Sequence, residues 1–114
     1  MNVESFRDYC LSKHGATESF PFDQNTIAFK IGGKLFALAG IELFASINLK
    51  CDPERSLELR ETYSGIKPGF HMNKKHWNTI TVESDVPNQL LFELIDHSLD
   101  LVYKSLTKKI RDGL

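Results

Sequence analysis

The chain has 114 residues, 41% of them apolar and 25% charged, with a formal net charge of −1. That composition excludes wholesale disorder and suits one domain built round one hydrophobic core. It also excludes a uniformly basic nucleic-acid binder, so any anion site has to come from local segregation of charge.

Val3, Phe6 and Cys10 mark an apolar stripe at helical spacing, closed by Gly15, a residue type favoured just past a helix end. Phe20-Pro21-Phe22 interrupts the pattern, because proline lacks an N–H and drives the preceding residue into extended backbone. Residues 26–31 and 34–38 flank Gly32-Gly33, and two glycines between β-rich runs predict a two-residue hairpin turn. Residues 43–50 alternate as a third strand with one buried face. Asp52 as a cap and Pro53 at the first helical position predict a second helix, ended by Gly65. After a loop, residues 77–82 alternate as a fourth strand. From Asn88 onward Leu91, Leu94, Ile95, Ser98, Val102, Leu106 and Ile110 recur at helical spacing, predicting one long terminal helix. The order α-β-β-β-α-β-α predicts an α+β fold in two layers, an antiparallel sheet covered on one face by helices.

Charge is segregated along this order. Residues 24–82 carry Lys30, Lys34, Lys50, Arg55, Arg60, Lys67, Lys74 and Lys75 against Glu42, Asp52, Glu54, Glu58 and Glu61. Residues 83–100 carry Glu83, Asp85, Glu93, Asp96 and Asp100 and no lysine or arginine. Between Glu61 and Glu83 there is no acid, and that gap holds Lys67, Asn73, Lys74, Lys75, His76, Trp77 and Asn78. A basic, aromatic loop rich in amide donors points to an anionic, planar partner. The lysines would neutralise phosphate, Asn73 and Asn78 would donate to phosphates or base edges, and Trp77 would stack on a base or sugar. The competing assignment, favoured for a lone tryptophan in so small a domain, starts a strand at Trp77 with its indole in the core.

Other chemistries find less support. His71 and His76 lie in a loop with neither Cys10 nor Cys51 nearby in sequence, so no metal site is predicted. Ser46, Ser64 and Ser98 sit in no nucleophile-elbow motif, and Ser98 reads as a small polar residue where helix and sheet pack closely. Glu54, Glu58 and Glu61, interleaved with Arg55 and Arg60, read as a solvated, self-paired helix face. Gly32-Gly33-Lys34 lacks phosphate-loop spacing. The expectation is a protein without catalysis, cofactor or metal. No apolar run approaches the roughly 18–20 residues of a membrane span and no secretory signal is visible, so the expected location is cytoplasmic, with two reduced thiols packed as small apolar groups.

Five segments bring a family into view: Phe20-Pro21-Phe22, residues 29–37, residues 49–54, residues 68–79 and residues 94–102. In this order and spacing the chain resembles the MmcQ/YjbR family of small bacterial proteins, which have a CyaY-like α+β fold. The resemblance implies a DNA-binding module with a double-wing arrangement, in which strands and loops meet nucleic acid. Lys34, Lys50, Lys74, Lys75 and Trp77 are the positions that carry over. Frataxin-like relatives of the fold bind iron through an acidic first helix, but here Glu4 and Asp8 stand beside Arg7 and Lys13, which argues against iron. Type III secretion chaperones share the fold and bind protein segments, so a protein- or small-ligand-binding module without nucleic acid is the alternative expectation. The sequence leaves the oligomeric state open.

Overall fold

In the computed structural model, which describes residues 1–114, helix α1 (Val3–Leu11) leads into four strands. These are β1 (Ala16–Ser19), β2 (Thr26–Ile31), β3 (Lys34–Gly40) and β4 (Ser46–Lys50). Helix α2 (Pro53–Thr62), β5 (Ile66–Pro68), β6 (Trp77–Thr81), α3 (Asn88–Ser105) and α4 (Lys108–Asp112) complete the chain. The strands form one sheet in the order β1-β2-β3-β4-β6-β5, with every pair antiparallel.

This is the α+β, helix-on-sheet architecture that the periodicities predict, with two strands more. Both additions are edge strands, β1 of four residues and β5 of three, too short for alternation to register. The long terminal helix also divides. Leu106 turns extended (ψ 148°), and the Thr107 hydroxyl accepts from Ile110 N, capping a new helix.

The hairpin at Gly32-Gly33 forms as expected, with Ile31 opposite Lys34. Gly32 has two reasons to be glycine: its φ is +57°, and a Cβ there would lie 2.8 Å from the side chains of Leu106 and Ile110. Between Phe29 and Lys30 the register slips, so that β3 carries one extra residue, Phe36. The bulge turns Phe36 to the helix side, where it is fully buried with its ring 6.5 Å from that of Phe29.

The core lies between the sheet and α1 and α3. Ile27, Phe29, Ile47, Leu49, Ile66 and Ile80 come from the sheet, Phe6 and Cys10 from α1, and Leu91, Leu94, Ile95, Val102 and Leu106 from α3 and its end. Each large side chain so buried contributes about 1.5–3 kcal/mol. The two thiols are free and buried; burial pushes Cys10 up to about 12 and also raises Cys51, so both stay protonated near neutrality. No helix is long and apolar enough to cross a membrane.

Ser98 is the polar exception on the apolar stripe of α3. Its hydroxyl donates to Phe36 O (2.5 Å) and accepts from Lys50 N (2.9 Å). The paired register of β3 and β4 runs from Ala37–Leu49 to Ala39–Ile47, so these two backbone groups fall just past its end and the serine supplies what the ladder does not. One residue earlier, His97 Nε2 accepts from Asp52 N (3.1 Å), docking the start of α2 on α3. Burial, aided by the charge of Arg55, holds His97 below its ordinary value.

Two outcomes follow for stability. Ser98→Ala orphans a buried carbonyl and an amide and is expected to cost about 1–3 kcal/mol in urea denaturation, with the fold retained. For His97 the favoured folded form is the neutral acceptor, so its contribution is complete above pH ~6.5 and is lost as pH falls through the lower folded value. Stability measured from pH 7.5 down to 5 should therefore decline. His97→Gln, which keeps an acceptor but does not titrate, should flatten that decline; an unchanged slope would locate the proton uptake elsewhere.

Candidate functional site

Alternation sends Ile47, Leu49, Asn78 and Ile80 to the helix side and Asn48, Lys50, Trp77 and Thr79 to the opposite, open side. On that open side Lys50 stands opposite Trp77, and Lys67 stands opposite Thr79. Lys30 pairs with Leu35 beyond the bulge. With strands about 4.8 Å apart, Lys30, Leu35, Lys50 and Trp77 make a row roughly 14 Å long across one end of the sheet. Strands β2 to β6 contain no acidic residue. The one acid of β1, Glu18, is ion-paired with Arg7 of α1. The acids gather on the helices instead: Glu54, Glu58 and Glu61 on α2, Glu93, Asp96 and Asp100 on α3.

The loop from Gly69 to His76 folds back over this face. Gly69 N donates to Trp77 O (2.7 Å) and Phe70 N to Thr79 Oγ1 (2.9 Å). A Cβ at Gly69 would lie 2.8 Å from Trp77 Cβ, so only glycine allows this approach. Asn73 organises the turn from within: its carboxamide oxygen accepts from Lys75 N (3.0 Å) and His76 N (3.2 Å), and its carbonyl from Trp77 N (2.9 Å). From α2, Arg60 donates Nη2 to Lys74 O (2.7 Å) and Trp77 O (3.3 Å) and Nε to Asn78 Oδ1 (2.8 Å). Asn78 in turn donates Nδ2 to Ser56 Oγ (3.1 Å).

These contacts sort the residues that the sequence brought forward. Lys50, Lys67 and Trp77 come to the open face, and Lys75 is exposed in the loop before β6. Trp77 is half-buried on that face, not in the core, because alternation gives the inward position to Asn78. Asn78 is 1% exposed and bonded on both sides, so it is a structural residue and unavailable as a donor to a ligand. The Asn73 oxygen likewise serves the loop. Lys74 Nζ turns back to Gly69 O (3.1 Å), and His76 is half-buried with its carbonyl held by Cys51 N (2.9 Å). Lys34 leaves the group: its ammonium reaches Ser105 O and Oγ (3.4 Å each) at the end of α3. Arg60 corrects another expectation, since it fastens the loop and pairs with no neighbouring glutamate.

Beside the lysine row lies a cleft of about 370 Å³. Thr26, Leu38 and Asn48 line it from the sheet, Phe22 from the β1–β2 connection, and Phe70, His71 and Met72 from the folded-back loop. Phe22 and Phe70 are 67% and 68% exposed. Asn48 Oδ1 accepts from the Thr79 hydroxyl, which leaves the amide hydrogens of Asn48 free of protein partners. Asp23, in the same connection as Phe22, is occupied by Asn25 N (2.9 Å) and Thr26 N (2.7 Å), and these hydrogen bonds hold its carboxyl below its usual value. Sequence reading missed the two phenylalanines as site residues; their signal was two aromatics round a proline and one after Pro-Gly, both in turns.

A second cavity of about 450 Å³, among Lys13, His14, Asp96, Asp100 and Tyr103, is charge-compensated. Lys13 Nζ pairs with Asp96 (2.8 Å), which the Tyr9 hydroxyl also reaches (2.7 Å). No group of three or more histidine, cysteine or acidic side chains is placed to hold a metal.

The YjbR family model matches residues 11–101. The chain is 43% identical over 91 residues to the uncharacterized protein YbdF of Escherichia coli O157:H7, spanning 79% of this chain and 75% of that one. It is 30% identical over 112 residues to the uncharacterized protein YjbR of Escherichia coli K12, spanning 97% and 95%. Among solved structures it is similar to Deinococcus radiodurans DR2400, a DUF419 domain (TM-score 0.91, 40% identity, 98% and 86% coverage). A Pseudomonas syringae crystal structure also matches (TM-score 0.74, 29% identity, 90% and 99% coverage).

Replacing Arg60 with Met keeps the stem and removes the tether. The amides of Met72, His76 and Trp77 should then exchange faster while those of β2 and β3 stay protected, with a loss of about 1–3 kcal/mol in stability. Equal exchange in both proteins would mean that the loop holds itself.

Proposed function

The chain belongs to the YjbR family, and on that premise we propose that it is a non-catalytic DNA-binding protein whose open sheet face meets the phosphate backbone. The observation that carries this reading is the charge of that face. Lys30, Lys50 and Lys67 stand on strands without a single acid and Lys75 is exposed in the loop before β6, whereas the helices carry both acids and bases. An anionic polymer would meet lysines and no strand carboxylate on that face, so a net charge of −1 does not prevent binding. Lysines act as point charges on phosphate and carry no base code, so the contact is expected to be tolerant of sequence. Trp77, beside Lys50, adds a flat surface for stacking.

A second reading, a small-ligand module without nucleic acid, is favoured only by the cleft. It predicts saturable binding that does not depend steeply on salt.

Because Trp77 is the only tryptophan, its fluorescence reports the face directly. Titration with single-stranded and duplex DNA at low salt should change that emission. Affinity should fall steeply with salt, each phosphate contact adding about 0.9 (duplex) or 0.7 (single strand) to the log–log slope. Lys50→Glu with Lys67→Glu should weaken binding to all sequences and lower the slope by about 1 per lysine, while Lys108→Glu on α4 should leave it unchanged. If neither DNA form binds at low salt with micromolar protein, or the double variant binds as before, the reading is wrong.

A further inference from the structure

From the cleft beside the lysine row, and resting on the nucleic-acid reading above, we propose that the face takes a single strand, with one unstacked base seated between Phe22 and Phe70. Three observations converge on that occupant.

The first is the chemistry of the walls. Phe22 and Phe70 come from separate connections, stand on the same cleft and are each two-thirds exposed. Leu38 and Met72 complete an apolar surround. Large aromatics left in water at the mouth of a cavity suit a planar guest, and base–aromatic stacking is tolerant of which base arrives.

The second is the polar pattern. The amide hydrogens of Asn48 have no protein partner once its oxygen takes the Thr79 hydroxyl, and the imidazole of His71 lines the same space. Two donors and a ring nitrogen can meet the carbonyl and ring-nitrogen edge of a heterocycle, which an aliphatic guest would leave unpaired.

The third is electrostatic. Lys67 lies next to Thr79, and Lys50 lies two residues from Asn48 on the same strand and face. A nucleotide whose base sits over Leu38 and Asn48 thus places its phosphates among lysines, with no carboxylate on the strands beneath. This complementarity selects an anionic chain of planar groups over an apolar peptide.

The volume of about 370 Å³ is at the small end of ligand clefts and suits one nucleoside. A base reaches that depth only after leaving its stack, which a single strand permits at little cost and a duplex does not.

The test compares a labelled 12-mer of dT, the same length of U, and a 12-bp duplex by fluorescence anisotropy at low salt. Wild type is compared with Phe22→Ala and Phe70→Ala; both side chains are exposed, so circular dichroism should show intact folds. We expect a single strand to bind at least tenfold tighter than the duplex, with each alanine removing about tenfold from single strands and little from the duplex. Preference for U over dT would assign the face to RNA, and the reverse or equality to single strands generally; either supports the cleft. Duplex binding as tight as single-strand binding, or phenylalanine variants that bind like wild type, would overturn this inference and leave the lysine face standing. Absence of binding to all three would overturn both.

Discussion

The guanidinium of Arg60 is the contact on which the shape of the open face depends. It spans from α2 to the loop before β6, donating to Lys74 O and Trp77 O, and reaches through to the buried carboxamide of Asn78. A charged donor bonded to carbonyls in a partly buried position is worth more than a neutral pair, and its loss leaves acceptors unsatisfied. The rest of the loop's support is local: Asn73 closes its turn, Gly69 lets it approach Trp77, and Gly69 N and Phe70 N bond to β6. His71 adopts a left-handed φ of 59°, a conformation that costs about 1–3 kcal/mol outside glycine. Remove the tether, and the wall made by Phe70, His71 and Met72 is left on the bonds from Gly69 N to Trp77 O and from Phe70 N to Thr79 Oγ1.

Charge segregation follows from the same one-sidedness. A helix on a sheet exposes its outer stripe, and that stripe solvates well with acids; a strand's outer face tolerates lysine, whose stem covers apolar neighbours while the ammonium reaches water. Lys30 and Lys50, both half-buried, flank Leu35 in this way. The helix side carries both signs, with Arg55 and Arg60 on α2, Lys104 on α3 and Lys108, Lys109 and Arg111 on α4, so the acid-free sheet face is the local departure within a near-zero sum.

Much of the fold was legible, because it rests on periodicity, hairpin glycines and the Asp52-Pro53 start, all local signals. What escaped depends on partners distant in sequence. Edge strands β1 and β5 exist because β2 and β6 offer them backbone groups, not because ATES or IKP favours a strand. The break at Leu106 reflects a threonine that caps as readily as it continues a helix. At the site, the acid-free interval gave Lys67, Lys75 and Trp77 their place, whereas Asn73 and Asn78 were misassigned for one reason: an amide that serves the backbone looks in sequence like an amide that serves a ligand. The Trp77 error was a matter of phase. The expectation of a core tryptophan overrode the alternation of its own strand, in which Ile80 and Asn78 face inward and position 77 cannot.

That phase also decides what the open face presents to solvent. Had the strand been set one residue over, the indole would lie under α3 and Asn78 would stand among the lysines. The observed register instead buries a polar residue, at the cost of satisfying it through Arg60 and Ser56, and leaves the large aromatic half in water beside Lys50. Two more aromatics, Phe22 and Phe70, stay exposed a short way along the same face. Exposed aromatic surface invites aggregation, and a small domain that buries Phe6, Phe29 and Phe36 completely has the means to bury aromatics. Three rings on the acid-free face, with a buried asparagine in the inward place, therefore set flat apolar surface beside lysine, an arrangement that a sheet facing only solvent does not need.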